Sequence, residues 1–171
     1  LVSRTGYTGE PGLELYVHAD KALDLWEKIL AADGVEPAGL GARDTLRLEI
    51  GLPLYGQDLD QDHTPAEAGY EWALKSEADY LGKPKAFDVR EKLVPLALDG
   101  RRSARHDDAV LTPDGAAVGR VTSGSFAPSL GHAIALAYVD KDHAEDDEFL
   151  LDTGRKHLKA RRTTLPFYTE G

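Results

Sequence analysis

Residues 38–59 read AGLGARDTLRLEIGLPLYGQDL. The segment opens on a Gly-Leu-Gly turn, Gly39 to Gly41, and continues through good helix formers from Ala42 to Ile50. Gly51 then supplies a C-cap, and Pro53 stops the helix from continuing. Arg43 is the oddity. It falls in the first helical turn, where the positive end of the helix dipole disfavours a cation by about a few tenths of a kcal/mol. Its neighbour Asp44 carries the charge that this position prefers. Arg43, Arg47 and Ile50 lie at i, i+4 and i+7, so one face mixes two guanidinium groups with an apolar side chain. A guanidinium held at a helix start calls for a carboxylate, in a structural ion pair or in a ligand site.

The carboxylate expected to meet it lies upstream. Residues 3–18, SRTGYTGEPGLELYVH, place glycine at 6, 9 and 12 and then enter the run Leu13 to His18. That run reads as a strand leaving a Gly-rich turn. Leu13, Leu15 and Val17 point to one face; Glu14, Tyr16 and His18 point to the other. Residues 19–32 follow as an amphipathic helix. Asp20 can cap it, Leu23, Trp26, Ile29 and Leu30 form its apolar stripe, and Trp26 reads as core.

Downstream of Pro53, Asp58, Asp60 and Asp62 alternate. A calcium loop opening at Asp58 needs glycine at position 63 and glutamate at 69, but the chain has His63 and Gly69. We therefore expect no metal site and a solvated acidic loop, with amide substitutions at Asp58 and Asp60 close to silent. Thr64 to Glu67 reads as a turn or helix start, residues 70–74 as a short strand, and Pro84 to Arg90 as a short linking helix. Trp72 has two readings, a core side chain or an indole face for a flat ligand.

From Lys92 onward the pattern changes. Strand runs fall at 93–98, 108–111, 117–123, 132–139, 148–151 and 156–162. Pro113-Asp114-Gly115 and Asp152-Thr153-Gly154 supply turns, and residues 124–130 read as a Gly/Ser/Pro loop. Short strands at this spacing suggest a small antiparallel barrel or sandwich. The fold class expected is α+β. A mixed α/β piece occupies residues 1–90, and a small antiparallel β-barrel residues 91–171. Two basic clusters stand out, Arg101-Arg102-Arg105 and Arg155 to Arg162. Each reads as a solvated surface or as a contact for an acidic partner or a carboxylate-bearing ligand tail.

The chain has 171 residues, with 20 Lys plus Arg against 30 Asp plus Glu, a net charge of −10. This argues against a general nucleic-acid or acidic-membrane binder. There is no Cys, hence no disulfide, thiolate metal site or cysteine nucleophile. No run has the length of a membrane span and no signal-peptide pattern opens the chain, so a cytoplasmic location is expected. The chain begins at Leu1 and holds no Met, which leads us to expect a fragment.

Four blocks now carry a resemblance: GYTGEPGLE, GLGARDTLRLEIGLPLYGQDLD, TPAEAGYEWALK and VGRVTSGSFAPSLGHAIALAYVD. In this order they resemble the folate-binding aminomethyltransferase family, the T proteins of the glycine cleavage system, from the middle of the folate-binding region to the C-terminus. The resemblance implies transfer of a one-carbon unit from the aminomethyl-lipoyl arm of H protein to tetrahydrofolate, with release of ammonia. It implies that Glu14 and Arg43 bind the folate, with Trp72 and Tyr7 in the same pocket. The family's catalytic Asp lies in its N-terminal part, so no catalytic residue is assigned here. Two alternatives remain. One is the folate-binding portion of a sarcosine or dimethylglycine dehydrogenase, which shares the R-L-E-x-G pattern. The other is a non-catalytic folate-binding module, against which the absence of Cys counts.

Overall fold

In a computed structural model, which describes residues 1–169, the chain divides into two units, Leu1–Arg47 and the remainder from Leu48. In the first unit, β1 (Val2–Ser3) pairs antiparallel with β2 (Glu14–Leu15), in the register Val2 to Leu15 and Ser3 to Glu14. The strand expected over 13–18 is thus shortened to two residues. Beside this ladder, Tyr16 N–H donates to Leu1 O at 2.9 Å.

A 3-10 turn, Ala19–Lys21, leads into α1 (Ala22–Leu30). Asp20 does not cap this helix: its carboxylate is taken by the His18 ring, Nδ1 to Oδ1 2.5 Å. The apolar stripe forms but Trp26 is not core; Leu23 is 65% exposed and Trp26 49%. Periodicity identifies the face that favours burial, not what covers it. The helix α2 (Leu40–Glu49) starts earlier than expected, with Gly41 inside it, and Arg43 N–H donates to Gly39 O in its first turn. It ends where Gly51 takes φ +81°, and the N–H of Gly51 donates to Leu48 O at 2.9 Å.

Six strands of the second unit close into an antiparallel barrel: β3 (Glu91–Leu98), β4 (Ala109–Leu111), β5 (Ala117–Ala127), β6 (His132–Asp140), β7 (Glu148–Asp152) and β8 (His157–Arg162). Their order around the barrel is β3-β6-β5-β4-β7-β8, with β8 returning to β3. Closure leaves these strands no free edge. The interior is filled by Val94, Leu96, Val110, Val121, Ala135, Ala137, Phe149 and Leu151, among others. The alternating face of β6 is equally buried: Ile134 and Leu136 pack with Leu48, Ala127, Leu93, Leu130 and Phe167. This is why the run Ala133–Val139 contains no charged residue and is 0% exposed throughout. The expected loop at 124–130 is instead half strand. β5 continues to Ala127, and its small residues permit close contact between neighbouring strands. A Cβ at Gly119 would stand 2.1 Å from the Tyr138 carbonyl oxygen.

Residues 54–90 are largely irregular. Thr64 and Glu67 form a capping box, with Thr64 N–H donating to Glu67 Oε2 at 2.7 Å and Glu67 N–H to Thr64 Oγ1 at 3.2 Å. The strand expected at 70–74 is a 3-10 helix, Glu71–Leu74. No strand among the described residues lies beside it, and Ala73 N–H bonds back to Tyr70 O at 2.9 Å. The linking helix expected over 84–90 shrinks to a 3-10 turn, Lys83–Lys85, and the chain enters β3 directly after Arg90.

Candidate functional site

In the first unit, the β1–β2 register sets Ser3 opposite Glu14. A hydroxyl relay follows. Ser3 Oγ lies 2.8 Å from Thr5 Oγ1, and the Thr5 hydroxyl donates to Glu14 Oε2. Glu14 is exposed, and no described residue donates to its other oxygen. Arg43 does not meet this carboxylate. Its guanidinium carbon lies 4.6 Å from the Tyr7 ring centroid, a cation–π contact worth about 0.5–1 kcal/mol at an exposed site. The quadrupole of the ring, not an anion, stabilises the cation that the helix dipole disfavours. Farther along α2, Arg47 donates to Asp44 Oδ1, from Nε at 2.8 Å.

In the second unit, Trp72 is 63% exposed, so the core reading fails for it. Its ring meets Tyr70 at 5.9 Å between centroids, tilted 48°. Tyr70 also lines a cleft of about 350 Å³ with Tyr55, Leu59, Pro65 and His63, and burial pushes its phenol pKa up.

Beneath that cleft lies a polar cluster that sequence reasoning missed. Asp58, expected in solvent, is 0% exposed. Its carboxylate accepts from Leu54 N–H and Ser123 Oγ, both at 2.8 Å, and from the Thr122 hydroxyl. The Tyr138 hydroxyl donates to Asp58 O at 2.9 Å. His63 stacks on Tyr138 with centroids 3.8 Å apart. Arg120 donates to His63 Nε2 at 3.2 Å, which leaves the proton on Nδ1, facing Asp60 Oδ1 at 2.7 Å. Burial pushes the Asp60 carboxyl up, but the His63 ring and the N–H groups of Asp62 and His63 outweigh it and hold the pKa low. Tyr138 is raised by burial first and then by the carboxylates of Asp60, Glu67, Asp58 and Glu91. The spacing Asp60-x-x-His63, with a capping box beginning at Thr64, was the available sequence signal.

Glu67 is a second buried carboxylate. Arg90 donates to it from its backbone N–H and from Nε, each at 2.9 Å. Burial pushes the Glu67 pKa up, yet the Arg90 side chain and the N–H groups of Thr64 and Arg90 prevail and bring it to about 2. These contacts tie the 60s loop to the residue preceding β3. Among the described residues no group of three or more His, Cys, Asp or Glu is arranged to hold a metal ion. Nor is any helix long and apolar enough to cross a membrane.

An α/β piece followed by a closed antiparallel barrel, with acidic side chains fixed by hydroxyl and guanidinium donors, places the chain among α+β proteins of barrel-terminated type. Comparison with known proteins specifies this further. Residues 1–78 match the family described as GCVT N-terminal domain, and residues 91–169 match the glycine cleavage T-protein C-terminal barrel domain. The chain belongs to the glycine cleavage T-protein family. It is 43% identical over 175 residues to an aminomethyltransferase of Thermotoga neapolitana, covering 98% of this chain and 48% of that protein. It is 46% identical over 176 residues to one of Cupriavidus necator, covering 100% and 46%. A crystal structure of glycine cleavage system aminomethyltransferase T from Bartonella henselae superposes with a TM-score of 0.90 at 34% identity, covering 98% of this chain and 49% of that one. The chain thus spans about half the length of the curated relatives it matches.

Proposed function

We propose that this chain is the C-terminal half of a cytoplasmic aminomethyltransferase of the glycine cleavage system. The acceptor would be tetrahydrofolate and the donor the aminomethyl-lipoyl arm of H protein. Residues 1–90 would be the second half of the folate-binding region, and residues 91–171 the barrel domain. The observation that carries the reading is the ordered match of both family domains along one chain. The relatives described above are named aminomethyltransferases, which favours this reading over the dehydrogenase one.

The site we propose comprises Glu14, Arg43, Tyr7 and Trp72. The Glu14 carboxylate suits adjacent N–H donors of a pterin, because Thr5 orients one of its oxygens and the other accepts no described donor. Arg43, held over Tyr7, keeps its N–H groups available for the cofactor's acceptors. Trp72 presents an exposed indole to a flat ring. The folate supplies the nucleophilic nitrogens that accept the one-carbon unit; these residues bind and orient it. Calorimetric titration of the protein carrying this chain with tetrahydrofolate tests the reading. Unchanged affinity in the Glu14→Gln variant would overturn the site.

A further inference from the structure

The fold joins two basic clusters that lie fifty residues apart in sequence. Arg102 and Arg105, on the β3–β4 connection, and Arg155, in the β7–β8 turn, line one cleft of about 290 Å³ with Ser103, Asp108 and Thr153. Elsewhere on this unit three guanidinium groups meet carboxylates, and Arg101 lies over the Phe126 ring at 4.3 Å. Arg90 pairs with Glu67, Arg120 with Glu91 and Arg162 with Glu145. The three cleft guanidiniums form no ion pair among the described residues; Arg105 Nη1 donates only to Gly124 O, at 3.3 Å. The single acid, Asp108, is already engaged, accepting from Arg105 N–H at 2.8 Å. Three cations and one anion leave the cleft at 3 − 1 = +2, in a chain whose net charge is −10.

Both walls are held by local hydrogen bonds. Asp107 N–H donates to Val121 O at 2.9 Å and Val121 N–H to Asp108 O at 2.8 Å. In the β7–β8 turn, Gly154 N–H donates to Asp152 Oδ1 at 2.8 Å and Thr153 Oγ1 to Lys156 O at 3.0 Å. The arginines therefore project from ordered supports, which lowers the entropic cost of binding. Planar guanidinium forks match the paired oxygens of phosphate and carboxylate. We propose that this cleft binds a small multivalent oxyanion, a ligand bearing at least two phosphate or carboxylate groups.

The test is calorimetric titration of the chain with tripolyphosphate and, separately, with triglutamate, at low and at physiological salt. Arg102→Gln and Arg155→Gln are compared with Lys28→Gln, which removes the same charge from α1, and melting curves check folding. One-site binding is expected, weakened roughly two- to fivefold by each cleft variant and not by Lys28→Gln. Screening should weaken it further as salt rises. Binding of tripolyphosphate alone identifies a phosphate ligand, and binding of triglutamate alone a carboxylate one. Absence of binding by both probes, or equal weakening by Lys28→Gln, overturns the proposal.

Discussion

The hydroxyl of Thr122 donates to the carboxylate of Asp58, which lies 64 residues earlier in the chain. Ser123, the next residue, donates to the same carboxylate. Consecutive residues of a regular strand point to opposite faces. Here the pairing of β5 with β6 slips between Val121 and Ser123. The extra residue turns both hydroxyls toward Asp58, so an irregularity in the barrel wall builds the anchor for the preceding loop.

Asp58→Asn should therefore be costly. The amide exchanges one acceptor oxygen for a donor amid three donors, leaving at least one buried pair mismatched. We expect a loss of about 1–3 kcal/mol, seen as a fall in melting temperature of several degrees. A melting curve unchanged from the parent would refute the anchor.

Acid should weaken the second unit through Glu67. Its carboxyl titrates at about 2 in the folded chain against a reference of 4.5, so the folded state favours the ionised form. The contribution is complete above about pH 5 and is lost as pH falls through the folded value. Its size is on the order of 3 kcal/mol. Denaturant titrations at a series of pH values should show this acid limb, and Glu67→Gln should flatten it; a variant with the parent's slope would count against the assignment.

Gly119→Ala should destabilise the barrel by roughly 1–3 kcal/mol or more. The new methyl group meets backbone, the Tyr138 carbonyl at 2.1 Å, and backbone in a closed barrel has little room to yield. Chemical denaturation of the variant measures this directly.

Folate affinity should separate the site residues from the structural ones. In the protein carrying this chain, Glu14→Gln is expected to lose about 10- to 150-fold, corresponding to roughly 1.5–3 kcal/mol for a charged hydrogen bond. Arg43→Lys should also weaken binding, since an ammonium lacks the planar fork. Both should melt close to the parent, because Glu14 and Arg43 are exposed. Calorimetry on the two variants decides; parent-like affinity in Glu14→Gln removes it from the site.

The chain alone should not transfer the aminomethyl group, because the resemblance places the family's catalytic Asp outside the part matched here. Formation of methylenetetrahydrofolate by the purified chain with charged H protein would contradict this.

Local physics made much of this protein legible in advance. Gly51 and Pro53 set the end of α2, and the strand runs after Lys92 gave all six barrel strands because each is a short run rich in strand formers bounded by turn residues. Tertiary structure decided the rest. It buries both faces of β6, packing Ile134 and Leu136 outside the barrel interior against Leu48, Leu93 and Leu130. The sequence around Asp58 reads as a solvated acidic loop because its donors lie far downstream, and no local pattern announces a bulge at Thr122. Arg43 called for a charge partner and received the Tyr7 ring, because a ring face and a carboxylate satisfy the same electrostatic demand. Arg102 and Arg155 read as separate clusters until barrel closure brought their loops to one cleft. A chain fixes local propensity residue by residue, but partners distant in sequence are chosen only when non-local strand pairing brings them within reach.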